Sequence, residues 1–225
     1  MGDMVRFKAN GRTADGYLAK PASGRGPGIV VVQEWWGLVG HITDLADRFA
    51  AEGFFALAPD LYHGEKTKSP DDAGKLMMAL NMAEVAKDLR GAVDYLVGLE
   101  GVSSKKVATV GFCMGGQLAL FAATEYPEHI GAVVDFYGIH PAVKPDVSRL
   151  SGPVLLHFGT RDKSIPQETA DGLSKRIRDA GKQVDSHFYD ADHAFFNDQR
   201  PAVYNAEAAK LAWDRTLKFL HSAIA

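Results

Sequence analysis

The chain is poor in cysteine: among its 225 residues there is one, Cys113. A single thiol excludes an intrachain disulfide and a four-cysteine metal cluster. An excess of one charge is also missing, since 25 Lys and Arg stand against 28 Asp and Glu, a formal net charge of −3. That balance gives no ground to expect a nucleic-acid or an anionic-membrane partner. No window approaches the ~20 consecutive apolar residues of a membrane span. Met1–Asn10 has no apolar core followed by a cleavage site, so no signal peptide is expected and a cytoplasmic location is. Internal repeats, low-complexity tracts and linkers are absent as well. What remains is a composition 46% hydrophobic, which can bury a real core. At roughly 150 residues per domain, the length favours one domain spanning residues 1–225.

The pattern along the chain alternates between strand and helix. Met4–Ala9 and Arg12–Lys20 alternate in polarity around Asn10-Gly11, whose tolerance of positive φ predicts a hairpin at a sheet edge. The unbroken run Ile29-Val30-Val31-Val32 suits a strand buried on both faces. Further strands are expected over Phe54–Ala58, Val107–Phe112, Ala132–Tyr137, Val154–Phe158 and Val184–Tyr189. Apolar spacing predicts helices over His41–Glu52, Asp71–Leu80, Ala83–Leu99, Gly115–Glu125, Gln167–Ala180 and Ala202–His221. Strands separated by helices imply right-handed crossovers, hence an α/β fold with a mostly parallel sheet and helices on both faces. The stretch Asp60–Pro70 reads as a loop, polar and solvated or else edging a ligand site, because open α/β sheets bind ligands at the carboxyl ends of their strands.

The informative segment is Gly111-Phe-Cys113-Met-Gly115, which follows an apolar strand and opens a helix. This is a nucleophile-elbow pattern with cysteine where serine is usual. Such a turn presents Sγ ahead of the first helical turn, where the helix dipole favours a thiolate. The Met114 backbone N–H then points at the place where a carbonyl oxygen would become negative. Small free cysteines are often only buried hydrophobes, so the partners matter. Asp162 follows the strand Val154–Phe158, and His193 follows Val184–Tyr189. The order nucleophile, acid, histidine is the one this elbow requires, with His193 as base and Asp162 as its orienting acid. His157 and His187 fall inside strand patterns and read as core histidines. His187, His193, Asp190 and Asp192 fit no standard zinc spacing.

The second oxyanion donor is expected from the loop after Ile29–Val32, with the Trp35 backbone N–H as candidate. Glu34 beside it needs a reason: a salt bridge or hydrogen bond to the loop, or a share in taking the thiol proton. The indoles of Trp35 and Trp36 are either core or suited to a planar substrate.

Gln33-Glu34-x-x-Gly37, Gly111-Phe112-Cys113-Met114-Gly115-Gly116, Gly159-x-x-Asp162 and His193-x-Phe195 together resemble the dienelactone hydrolase (carboxymethylenebutenolidase) family. The resemblance runs along nearly the whole chain, including Asp88-Leu89 and Arg215-Thr216-Leu217-x-Phe219-Leu220. It implies a monomeric α/β-hydrolase fold and a hydrolase of small esters or lactones that needs no cofactor and no metal. It also implies that Cys113, Asp162 and His193 form the triad and that Glu34 activates the thiol. Trp36, Met77, Tyr137, Phe195 and Asn197 are then expected at the substrate. The sequence departs from the family where dienelactone is recognised. Asn197 stands where an arginine is expected four residues after the histidine, the position of a second expected arginine falls near Pro70, and an expected tryptophan is Met77. Neither Asn nor Pro replaces a bidentate cation, so the resemblance supports the chemistry and not that substrate. A thioesterase would use the same machinery. A non-catalytic ligand-binding or redox-sensing member of the fold would need only the pocket and the thiol.

Overall fold

A computed structural model of the chain describes residues 1–9, 11–140 and 142–224. The first strands, β1 (Asp3–Ala9) and β2 (Arg12–Ala19), pair antiparallel as expected, with Ala9 opposite Arg12. Asn10, half of the expected turn, lies outside the described residues. Then come β3 (Gly28–Val32), α1 (Gly40–Ala51) and β4 (Phe55–Pro59). Next are α2 (Pro70–Ala79), α3 (Met82–Val97), β5 (Val107–Phe112) and α4 (Met114–Glu125). β6 (Ile130–Phe136), β7 (Val154–Gly159), α5 (Gln167–Asp179), β8 (Val184–Tyr189) and α6 (Ala206–Ile224) complete the order.

Among the described residues these strands form one sheet in the order β1-β2-β4-β3-β5-β6-β7-β8. From β4 through β8 every pairing is parallel; the hairpin joins antiparallel at β4. Every residue of β3, β4, β5 and β7 is buried. Their β-branched and aromatic side chains therefore meet helices on both faces, each contributing about 1.5–3 kcal/mol of burial. On one face α1 and α6 meet through Phe49 and Trp213, ring centroids 4.6 Å apart.

The closing helix departs from the expectation. Its helical spacing extends back to Ala202, yet the helix begins at Ala206. Asn205 sets the start: its N–H donates to Phe195 O at 3.0 Å, and its Oδ1 accepts from the Ala208 N–H at 3.1 Å. A side-chain cap of that kind satisfies a free N–H of the first turn. His187 departs too. It is half-buried on the edge strand β8 and bonds to Asp185 at 3.1 Å, whereas His157 in β7 is fully buried. β8 is the last strand of the sheet and has no neighbour on one side among the described residues, so its side chains are covered less than those of β7.

Candidate active site

The sheet's parallel strands all end at one rim, and the site is built there. Cys113 links β5 to α4 with φ 54° and ψ −124°. A non-glycine residue held there stores about 1–3 kcal/mol of strain and persists only where its surroundings fix it. Two hydrogen bonds and the close approach of two glycines fix it. The Cys113 N–H donates to Phe136 O at 2.9 Å, and the Gly116 N–H donates to Cys113 O at 2.9 Å. A Cβ on Gly111 would collide with the Gly115 backbone, and one on Gly115 with Gln33 O, so both positions require glycine.

His193 sits in the loop after β8. Its Nε2 lies 3.3 Å from Cys113 Sγ, and its Nδ1 lies 2.6 Å from Asp162 Oδ2. The other carboxylate oxygen, Oδ1, accepts the Ser164 and Ile165 N–H groups at 2.7 and 2.9 Å. The loop after β7 thus fixes the acid, and the acid fixes the imidazole. Burial opposes the imidazolium, but the hydrogen bonds to Asp162 and Cys113 and their negative charges outweigh it. The His193 pKa is pushed up to about 10. The imidazole thus stands between the Cys113 sulfur and the Asp162 carboxylate, within hydrogen-bond distance of both.

These groups open on a cavity of about 210 Å³, whose walls include Glu34, Trp35, Trp36, Met77, Met114 and Tyr137. Among the described residues the Trp35 and Met114 N–H groups make no loop or cap hydrogen bond. The first N–H groups of a helix have no intrahelical partner, so Met114 offers a donor to a ligand. Glu34 is 1% exposed, and its Oε2 accepts from Asn197 Nδ2 at 2.9 Å. Its Oε1 has no hydrogen-bond partner, and the nearby Tyr137 hydroxyl likewise makes no bond of acceptable geometry. Burial raises the Glu34 pKa, against the pull of Asn197, His193 and Arg200. Gln33 turns away and accepts the Leu61 N–H at 3.1 Å, tying the loop to the end of β4.

Two residues expected at the substrate do not line this cavity. Phe195 is fully buried and packs on Tyr137 and Tyr189, with ring centroids 5.4 and 5.1 Å away. Ala194, at φ 62°, reverses the chain after His193 and turns Phe195 into the core. Asn197 is buried as well and spends its amide on Glu34, so it positions that carboxylate.

The cavity also has walls that the sequence did not single out: Ile139, His140, Ser164, Ile165 and Arg200. Arg200 lies over the Trp36 ring, 5.3 Å from its centroid. Nothing in the local pattern marks it, because it is carried inward by the irregular segment between His193 and α6. The stretch Asp60–Pro70 edges this region. The Thr67 N–H donates to Trp36 O at 3.1 Å, and the Tyr62 hydroxyl reaches Met114 Sδ at 3.5 Å.

The model of the dienelactone hydrolase family matches residues 14–224. "Protein usf" of Aquifex pyrophilus is 38% identical, covering 97% of each chain. A protein of Aquifex aeolicus (strain VF5), provisionally assigned as a carboxymethylenebutenolidase, is 34% identical over 97% of each. A crystal structure from Klebsiella pneumoniae subsp. pneumoniae, provisionally assigned as a dienelactone hydrolase, superposes with a TM-score of 0.86. It is 31% identical and covers 98% of this chain and 99% of its own. With the sheet order, the elbow and the rim residues already in place, these likenesses show that the chain belongs to the dienelactone hydrolase family and is a hydrolase of the ester and lactone class.

Proposed function

We propose that the chain hydrolyses small esters or lactones with Cys113 as nucleophile. The observation that carries this is the unbroken path from Sγ through the His193 ring to the doubly anchored Asp162. The thiolate attacks the substrate carbonyl, and its oxygen gathers charge between the Trp35 and Met114 N–H groups. As the tetrahedral adduct collapses, His193 gives its proton to the leaving alkoxide, and the acyl group stays on sulfur. Water then attacks the acyl-enzyme while His193 accepts a proton, and the thiolate leaves. Asp162 holds the ring and stabilises its charged form. Glu34, with one free oxygen facing the same cavity, takes the thiol proton whenever sulfur is protonated on substrate arrival. Trp36, Met77 and Tyr137 shape the substrate's surroundings. The position four residues past His193 holds Asn197 bonded to Glu34, so no charged clamp stands there, and the proposal does not name dienelactone.

Hydrolysis of p-nitrophenyl acetate tests it. Cys113→Ala is expected to lower kcat/KM by on the order of 10³-fold or more, as removal of a nucleophile does. A loss below about tenfold would overturn the assignment of Cys113.

A further inference from the structure

A second cavity, of about 250 Å³, shares no wall residue with the reaction cavity. It lies between the start of β2, the segment after β4, the end of α2 and the start of α3. Much of its wall is apolar, formed by Leu61, Leu76, Ala79, Leu80 and Val85. The polar part includes Arg12, His63, Glu84 and Asp88. Arg12 is divided between the two acids. Its Nη1 donates to Glu84 Oε2 and its Nη2 to Asp88 Oδ2, both at 2.7 Å. Lys87 Nζ donates to the other Glu84 oxygen at 2.9 Å. Two cations thus answer two acids, and the cluster calls for no further ion.

Two atoms of the cluster are left over. The Asp88 side chain is 1% exposed, and among the described residues its Oδ1 is buried with no hydrogen-bond partner. Arg12 Nε is buried and unpartnered as well. Each is bonded to the same carbon as one end of the Nη2–Oδ2 contact, so the two lie close together. Oδ1 lacks a donor, and the Nε–H lacks an acceptor. Buried polar groups left unpaired are costly, and a ligand that pairs both is favoured by the difference. Burial raises the Asp88 pKa, against the pull of Arg12 and His63. A donor that reaches Oδ1 would favour its charged form.

We propose that this cavity is a binding site for a small neutral amide, a primary carboxamide with an apolar tail. The amide N–H donates to Asp88 Oδ1, and the amide oxygen accepts from Arg12 Nε. The tail lies against Leu61, Leu76, Leu80 and Val85. An ammonium group would satisfy only the first of these atoms, and a carboxylate only the second. The site is separate from Cys113 and does not rest on the hydrolase reading.

Calorimetric titration with hexanamide, n-hexylammonium and hexanoate tests it. The wild-type protein should bind hexanamide more tightly than either ion by roughly fivefold or more, the worth of one further hydrogen bond. Arg12→Lys keeps the charge but removes Nε, and should weaken hexanamide binding by roughly tenfold, as loss of a hydrogen bond to a charged group does. Ala79→Phe, at an exposed position of α2, places a ring in the cavity and should abolish binding. It decides the matter alone if Arg12→Lys does not fold. The site is overturned if hexanamide shows no saturable binding, if an ion binds as tightly, or if either folded variant leaves hexanamide binding unchanged.

Discussion

Two histidines, one inside β7 and one in the loop past its neighbour β8, illustrate opposite uses of the same ring. His157, within β7, is fully buried, and its nitrogens meet two neutral hydroxyls, Tyr189 Oη at 2.9 Å and Thr216 Oγ1 at 3.0 Å. Burial, reinforced by His187 and Arg215, drives its pKa well below 6.5. His193, in the loop after β8, also has both nitrogens occupied, but by a carboxylate and a sulfur. Burial opposes its charge as well, yet its pKa goes up. Burial penalises the cation in both places. The charge of the partners decides which ring carries a proton, and so which one is suited to proton transfer.

The largest expected effect comes from removing that charge. In Asp162→Asn the loop N–H groups of Ser164 and Ile165 keep the amide oxygen, so the amide nitrogen faces His193 Nδ1. The ring then holds its proton on Nε2, facing sulfur, and cannot accept another there. Ester hydrolysis should fall by on the order of 10³–10⁴-fold, and the His193 pKa, followed by NMR, should drop. A loss under tenfold with an unmoved pKa would break the comparison. Glu34→Gln comes next. If its carboxylate takes the thiol proton, kcat/KM should fall by roughly a hundredfold. A rate like the wild type's would reduce Glu34 to a partner of Asn197.

The smallest effect sharpens the other side. His157→Phe leaves the Tyr189 and Thr216 hydroxyls without their ring partner and should lower unfolding free energy by about 1–3 kcal/mol, without changing the rate per folded molecule. It should also change the response to acid. Below 6.5 the unfolded chain protonates His157 and the folded chain does not, so native stability is lost as pH falls. That share is at most about 1.4 kcal/mol per pH unit, and the variant lacks it. Urea unfolding at pH 7.5 and 5.5 reads the difference; equal slopes would mean that His157 titrates alike in both states.

The elements were legible because each signal was local. The Val-rich run of β3, the glycines around Cys113 and the apolar spacing of α1 each state their geometry within a few residues. Asp162 and His193 were legible because each stands just past a strand end, and parallel strands bring such positions to one rim. Phe195 and Asn197 were not. Both lie within four residues of His193, but a single positive φ at Ala194 redirects the chain, and no apolar pattern reports it. Arg200 escaped for a related reason. Its surroundings are assembled from the loop after β3 and the segment before α6, which are far apart along the chain.

The sequence by itself determined which residue types lie at the rim and in what order, because strand periodicity and the steric demand of the elbow act over a few residues. Tertiary structure alone decided how their surroundings shift their charge and which of them line the cavity at Cys113. Desolvation, the polarity of a partner 31 or 163 positions away, and the pairing of Arg12 with Asp88 across 76 positions are properties of packing across the chain.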